Sequence, residues 1–266
     1  MKCKQRENQI CAGIPKMKTF RLILSKPASA FFNMSFDAWM FEQYLKEKAP
    51  TFRVYAWESP AFTYGLSSNY TEVLDLEKCV EDHMQVVARI TGGGVLFHHH
   101  EITYSFVCSK DDIGEDEDVL VSYHKSCKFL FLFYQSLGLK PSFAKETENF
   151  MRFSKRHSLC SASYEKYDIT LGGKKIGGNA QKRSRSVIFQ HGSIPLALDF
   201  AFLKKYLKNF PLDLPSRITF LAQELKTLPA RKALEEKLIS AFSCAFKVAF
   251  VKEERIFSAD EACLVK

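Results

Sequence analysis

Apolar and polar residues alternate along most of this chain in short stretches, and their spacing switches repeatedly between that of a strand and that of a helix. Phe20-Arg-Leu-Ile-Leu24 reads as a strand, after which Asn33 is placed to cap a helix carrying Phe36, Met40 and Tyr44 on one face. Phe52 to Trp57 is a second strand, and Asp75 to Asp82 a short helix. The strand Gln85 to Arg89 runs into the glycine turn Gly92-Gly93-Gly94 and out again as Val95 to Phe97. Ile102 to Val107 alternates as a half-buried strand does. From Val119 to Leu137 the pattern is that of one heavily apolar helix, stopped by Gly138. Glu146 to Ser163 is polar and without period, as in a surface loop. Tyr167 to Leu171, Lys174 to Gln181 and Val187 to Leu196 then read as successive antiparallel strands, turned at Gly172-Gly173 and at Lys182 to Arg185. Behind Pro229, which suits a first helical position, Leu234, Leu238, Phe242 and Phe246 recur down one face.

This order predicts an α+β protein with mixed, mostly antiparallel sheets flanked by helices. Residues 1–18 are expected to be a disordered extension, 19–228 a single domain, and 229–266 a helical segment packed on it. No internal repeat or heptad array is present, which excludes solenoids and coiled coils.

Composition narrows the classes further. With 46% hydrophobic and 26% charged residues the 266-residue chain is an ordinary globular sequence, and its 24 Phe point to a bulky core. A net charge of +8 favours acidic partners. The densest apolar run, Phe129 to Tyr134, is too short to cross a bilayer, so no membrane span is expected. Residues 1–16 hold no apolar core of a secretory signal, and the eight cysteines contain no C-x-x-C pair. Reduced thiols in a cytoplasmic protein follow. Neither a helix-turn-helix nor basic residues interleaved with aromatics occur, so nucleic acid is not an expected partner.

Four local patterns bear on chemistry. Arg89-Ile-Thr-Gly-Gly-Gly-Val-Leu-Phe-His98 lets the backbone approach a ligand closely, although a glycine triplet alone also serves as a bend between strands, and both the P-loop and the dinucleotide fingerprint are absent. In Gly172-Gly-Lys-Lys-Ile-Gly-Gly-Asn-Ala-Gln181, Lys175 points into the space that Gly177 and Gly178 leave open. A compact cation there would neutralise a carboxylate, a phosphate or a developing oxyanion; the same pattern also fits an exposed hairpin lysine. Cys160 follows Lys155, Arg156 and His157, cations of the kind a reactive thiolate needs, but a cysteine on its own equally reads as inert. His98-His99-His100 cannot converge on one ion, because neighbouring side chains on a strand face opposite ways, and no metal site is expected. Lys182 to Arg185 is a solvated turn suited to steering an acidic protein.

Taken in order, these stretches resemble the catalytic domain of the biotin/lipoate protein ligase superfamily, specifically its lipoate-protein ligase and octanoyltransferase branches. The likeness covers about residues 19–200 and runs through Asn33-Met-Ser-Phe-Asp37, Phe52 to Pro60, Thr63-Tyr-Gly65, Arg89 to His98, Lys175 to Ala180 and Gln190 to Leu196. It implies that 19–228 is the catalytic domain. It further implies that Arg89, Thr91, Gly92, Gly93, Gly94, His98, Gly177, Gly178, Asn179, Ala180 and His191 surround an acyl or adenylate group, and that Lys175 binds the acyl carbonyl or carboxylate. The final acceptor would be a lysine of an acidic lipoyl domain, that of a 2-oxoacid dehydrogenase or the glycine cleavage H protein.

Two branches are compatible with the resemblance. In the transferase branch octanoyl comes from acyl carrier protein through a thioester on Cys160, with no cofactor; in the ligase branch ATP and Mg²⁺ drive an acyl-adenylate and Cys160 is a bystander. Cys160 precedes Lys175 by the transferase spacing, and Tyr167-Asp168, Glu101 to Ser105 and Gln190 to Pro195 look transferase-like. Gly94, by contrast, stands where the transferase usually has arginine, and His99 where both branches commonly have aspartate.

Overall fold

The structure, a computed structural model, describes residues 17–114, 119–153, 159 and 163–253. Its strands are β1 (Lys18–Leu24), β2 (Thr51–Tyr55), β3 (Ala61–Gly65), β4 (Gln85–Arg89), β5 (Val95–His98), β6 (Glu101–Ser109), β7 (Pro141–Phe143), β8 (Ile169–Leu171), β9 (Lys174–Ile176), β10 (Gly178–Ser184), β11 (Val187–Pro195), β12 (Ile218–Thr219) and β13 (Val248–Lys252). Three helices carry most of the packing: α1 (Ala30–Glu47), α2 (Lys128–Ser136) and α3 (Arg231–Phe246).

The largest sheet has the order β10-β11-β6-β2-β1-β13. It is parallel where β1 meets β2 and β13, and antiparallel elsewhere. α2 and α3 lie on one face, where Phe52 stacks on Phe242 at 4.2 Å and Phe106, Phe129 and Phe20 close the cluster. Burying one such ring contributes about 1.5–3 kcal/mol, so this aromatic layer dominates the core. α1 covers the other face with Phe36, Met40, Phe41 and Tyr44. β6 is therefore enclosed from both sides, and Glu101 through Cys108 are all buried rather than alternating as the sequence suggests. Two smaller sheets, β4-β3-β5 and β12-β9-β8-β7, complete the fold and supply residues to the site described below.

Several local expectations are corrected. Ser29, not Asn33, caps α1, its Oγ accepting from Phe32 N at 3.2 Å. That leaves Asn33 inside the first turns, where its amide donates to the carbonyls of Ala28 and Ala56. The single helix expected over 119–137 is divided at Cys127 into Val119–Ser126 and α2, with Tyr123 O accepting both Cys127 N at 3.2 Å and the Ser126 hydroxyl at 2.9 Å at the junction. Gly138 does end α2, with φ +78°. Pro229 lies ahead of α3, whose cap is Ala230. The C-terminal portion is not purely helical: after Lys247, at φ +54°, the chain enters β13 and pairs in parallel with β1.

The most consequential difference concerns Lys174 to Gln181. Instead of one strand it forms two, β9 in the four-stranded sheet and β10 in the six-stranded one. The break is Gly177, whose φ is +71° and where a Cβ would run into Ser193 O and Pro195. Only glycine permits this crossing between sheets.

Candidate functional site

Lys175 sits on β9 two residues before that crossing, and only 3% of it is exposed. Its Nζ meets Asp168 Oδ2 at 2.7 Å and donates to Ser163 O at 3.1 Å. Asp168 is fixed in turn by Glu165 N, 2.7 Å from the same oxygen. The sequence reading that Lys175 occupies an exposed hairpin is thereby excluded; it is an inward cation held by a carboxylate.

Around it lies a groove of ≈ 920 Å³ whose wall includes Gly92–Gly94, Tyr167, Asp168, Lys175 and the first residues of β10. Two narrower clefts run inward from the same place. One, of ≈ 30 Å³, lies between Met34, Tyr55, Leu96, His98 and His191, with Arg89 in its wall; the other, of ≈ 60 Å³, lies between Phe97, Lys175, Pro195 and Ile218. Gly178 borders all three spaces, Lys175 the groove and the wider cleft, and Asn179 and Ala180 the groove and the inner cleft.

The glycine turn is built around Arg89. Its Nη2 donates to the carbonyls of Gly92 and Gly94 at 2.9 and 2.8 Å, so the turn wraps the guanidinium. At Gly65, the last residue of β3, a Cβ would collide with the Gly92–Gly93 peptide, and only glycine lets the turn sit this close to the sheet.

Behind the inner cleft is a buried polar layer. His191 Nδ1 lies 3.0 Å from Asp37 Oδ2, and Asp37 also receives Arg53 at 3.0 Å, Tyr55 OH at 3.0 Å and Ser105 Oγ at 2.8 Å. Burial by itself would raise the Asp37 carboxyl, but the hydrogen bond from His191 and the Arg53 guanidinium outweigh it and hold the pKa below the ordinary value. For His191 burial prevails over the attraction of Asp37, lowering its pKa and leaving the ring neutral at neutral pH. On the opposite side, His98 Nδ1 lies 2.8 Å from Glu101 Oε1, and the ring stacks on Trp57 at 4.0 Å. Burial opposes ionisation of Glu101, yet His98 and the hydroxyls of Ser193 and Thr103 bring its pKa below the ordinary glutamate value.

Arg89, Gly92, Gly93, Gly94, His98, Lys175, Gly178, Asn179, Ala180 and His191 thus come together at one site, Thr91 is buried behind it against Arg89 and His191, and Gly177 supplies the crossing that brings Lys175 to it. Cys160 lies outside the described residues. Its described neighbours are anchored here: Leu159 is buried and bridged to Val95, and the carbonyl of Ser163 accepts from Lys175. His99 and His100 lie against each other at 3.8 Å and line the wider cleft, whereas His98 lines the inner one. Among the described residues no group of three or more His, Cys, Asp or Glu side chains is placed to hold a metal, and no helix is long and apolar enough to cross a membrane. Of the basic tip, Arg183 is turned onto Gln181 and Ser122 rather than outward.

Asp37, Thr63, Glu101 and Arg53 were not singled out as site residues from the sequence. The usable signal was the recurrence of a lone carboxylate in an otherwise apolar run, Asp37 in a helix face and Glu101 at the start of a strand, since such a group is buried only with partners.

Solved structures with this architecture define its class as the lipoate-protein ligase fold. Lipoate-protein ligase A bound with ATP superposes with a TM-score of 0.73 at 20% identity, covering 92% of each chain. The bipartite lipoate protein ligase of Thermoplasma acidophilum gives 0.72 at 18% identity, covering 93% of this chain and 90% of the other. The chain belongs to the lipoyl protein ligase A/B catalytic domain family, whose model matches residues 29–243. Similar curated proteins are the octanoyltransferases LipM of Clostridioides difficile, 29% identical over 89% of this chain and 90% of its own length, and of Kyrpidia tusciae, 36% identical over 74% and 73%. That of Bacillus anthracis is 31% identical over 85% of this chain and 84% of its own.

Proposed function

We propose that the protein is an octanoyltransferase of protein lipoylation, which moves octanoyl from acyl carrier protein to Cys160 and then to a lysine of a lipoyl domain. The observation that carries this reading is the buried Lys175 ammonium, held by Asp168 at the junction of a wide groove and a narrow apolar cleft. The relatives named octanoyltransferase support the choice of acyl group. The anchoring of Leu159 and Ser163 supports the choice of nucleophile.

In the first step the Cys160 thiolate attacks the carrier thioester carbonyl. The carbon–sulfur bond to the carrier breaks, and the carrier thiolate leaves and takes up a proton. Lys175 carries a positive charge toward the oxygen on which negative charge develops, and backbone N–H groups of the glycine turn complete the polar environment. In the second step the neutral amine of the lipoyl-domain lysine attacks the acyl-Cys160 carbonyl, an amide bond forms, the Cys160 thiolate departs and the amine proton passes to solvent. The amide is more stable than either thioester, so no nucleotide is needed. The acyl chain enters the cleft that Lys175 shares with the groove, where Phe97, Pro195 and Ile218 give it apolar walls.

A transfer assay with octanoyl carrier protein, a lipoyl domain and no ATP tests this directly. Octanoylated lipoyl domain is the expected product. Activity that requires ATP and Mg²⁺ and accepts the free acid instead would assign the site to the ligase reaction.

A further inference from the structure

Two histidine–carboxylate pairs stand behind the cleft, and both end on the same guanidinium. Arg89 Nε reaches Thr91 Oγ1 at 3.2 Å and Nη1 reaches Thr63 Oγ1 at 3.3 Å. Thr91 Oγ1 lies 2.8 Å from His191 Nε2, and Thr63 Oγ1 lies 2.7 Å from His98 Nε2. The far ring nitrogens face Asp37 and Glu101. Six elements contribute: α1, β3, β4 with the turn after it, β5, β6 and β11.

The chemistry of the two ends dictates the middle. A guanidinium only donates and an ionised carboxylate only accepts. Each imidazole therefore carries a hydrogen on Nδ1, toward the carboxylate, and the neutral ring offers a bare Nε2 to the threonine. Each threonine hydroxyl accepts from Arg89 and gives its single proton to the histidine. Along each branch the threonine hydroxyl both accepts and donates, and Asp37 and Glu101 take further donors from Tyr55, Ser105, Trp57 and Thr103; a buried polar network satisfied in this way is rigid.

We propose that Thr91 and Thr63 are positioning residues, which transmit the hydrogen-bond polarity of the two histidine–carboxylate pairs to Arg89 and so fix the guanidinium that shapes the Gly92–Gly94 turn. The kinetic consequence rests on the acyltransferase reading above; the tautomers do not. With the guanidinium fixed at Nε and Nη1, the bonds from Nη2 to Gly92 O and Gly94 O have one geometry, and the turn lining the groove is held ready for the reacting carbonyl.

Two measurements on the full chain test this. Nitrogen–proton correlation spectra of the imidazoles at about pH 8, where histidine is normally neutral, should show hydrogen on Nδ1 and a bare Nε2 at both His98 and His191. Hydrogen on Nε2 of either ring overturns the proposal. Thr91→Val keeps the branched shape and removes the hydroxyl, and should lower kcat for acyl transfer about tenfold, the loss of roughly one hydrogen bond's worth of fixation. KM for the donor should change little, and Thr91→Ser should restore kcat. Wild-type kcat in both Thr91→Val and Thr63→Val also overturns it. If the unmodified protein transfers no octanoyl at all, the acyltransferase reading fails and the tautomers alone decide the positioning role.

Discussion

A lysine buried to 3% exposure is stable only with its countercharge, and at Lys175 that partner is Asp168. Lys175→Met removes the cation while keeping the stem, and kcat for octanoyl transfer should fall about 10²–10³-fold, as on loss of an oxyanion donor. A variant within a fewfold of the wild type would dismiss Lys175 from the reaction. Arg53 and Asp37, 0% and 1% exposed, form a second pair with no catalytic assignment. Asp37→Ala leaves the guanidinium uncompensated and should cost about 3–5 kcal/mol in denaturant unfolding. The same layer sets an acid limit. His191 has a lowered pKa in the folded chain, so the unfolded chain binds the proton first. Its contribution is complete above the ordinary histidine value of about 6.5 and is lost as pH falls through the folded value. Asp37 and Glu101, also lowered, add a further loss below the ordinary carboxylate range. Melting temperature should therefore begin to decline on the acid side of about pH 6.5, and a flat profile down to carboxylate titration would contradict the neutral His191.

At the scale of elements, what matters most is where β9 ends. Gly177 sends the chain from one sheet to another, and this places Lys175 and Gly178–Ala180 on two walls of one groove. Gly177→Ala combines a left-handed backbone angle with a collision at Ser193 O. It should destabilise the protein by about 1–3 kcal/mol or more and reduce transfer beyond what the stability loss explains, as measured by unfolding and kcat on the same sample. Much of the element order was legible from periodicity, including Gln85 to Arg89, the glycine turn and the face of α3, because local apolar spacing decides it. The division at Gly177 was not, since Lys174 to Gln181 satisfies a strand pattern throughout and only the approach of Ser193, a distant residue, breaks it. For the same reason Lys175 could be picked out by its glycines, whereas Asp37 and Glu101 acquired meaning only when α1, β5, β6 and β11 brought His191 and His98 to them.

Across the whole molecule the net charge of +8 sets how partners arrive. On the proposed reaction, acidic carrier and lipoyl domains should bind faster at low ionic strength, and kcat/KM for each protein substrate should fall as salt rises from about 0.01 to 0.15 M, over which the screening length shortens from about 30 to 8 Å. A small thioester donor should show no such dependence, and equal sensitivity of both would remove the electrostatic account. The claim on which the reaction depends is that the acyl group rests on the protein between its two substrates. Intact-mass analysis after exposure to octanoyl carrier protein, with neither nucleotide nor acceptor present, measures this most directly. One octanoyl group is expected on the wild type and none on Cys160→Ala; an adduct that survives in Cys160→Ala, or a wild type that never acquires one, contradicts transfer through that thiol.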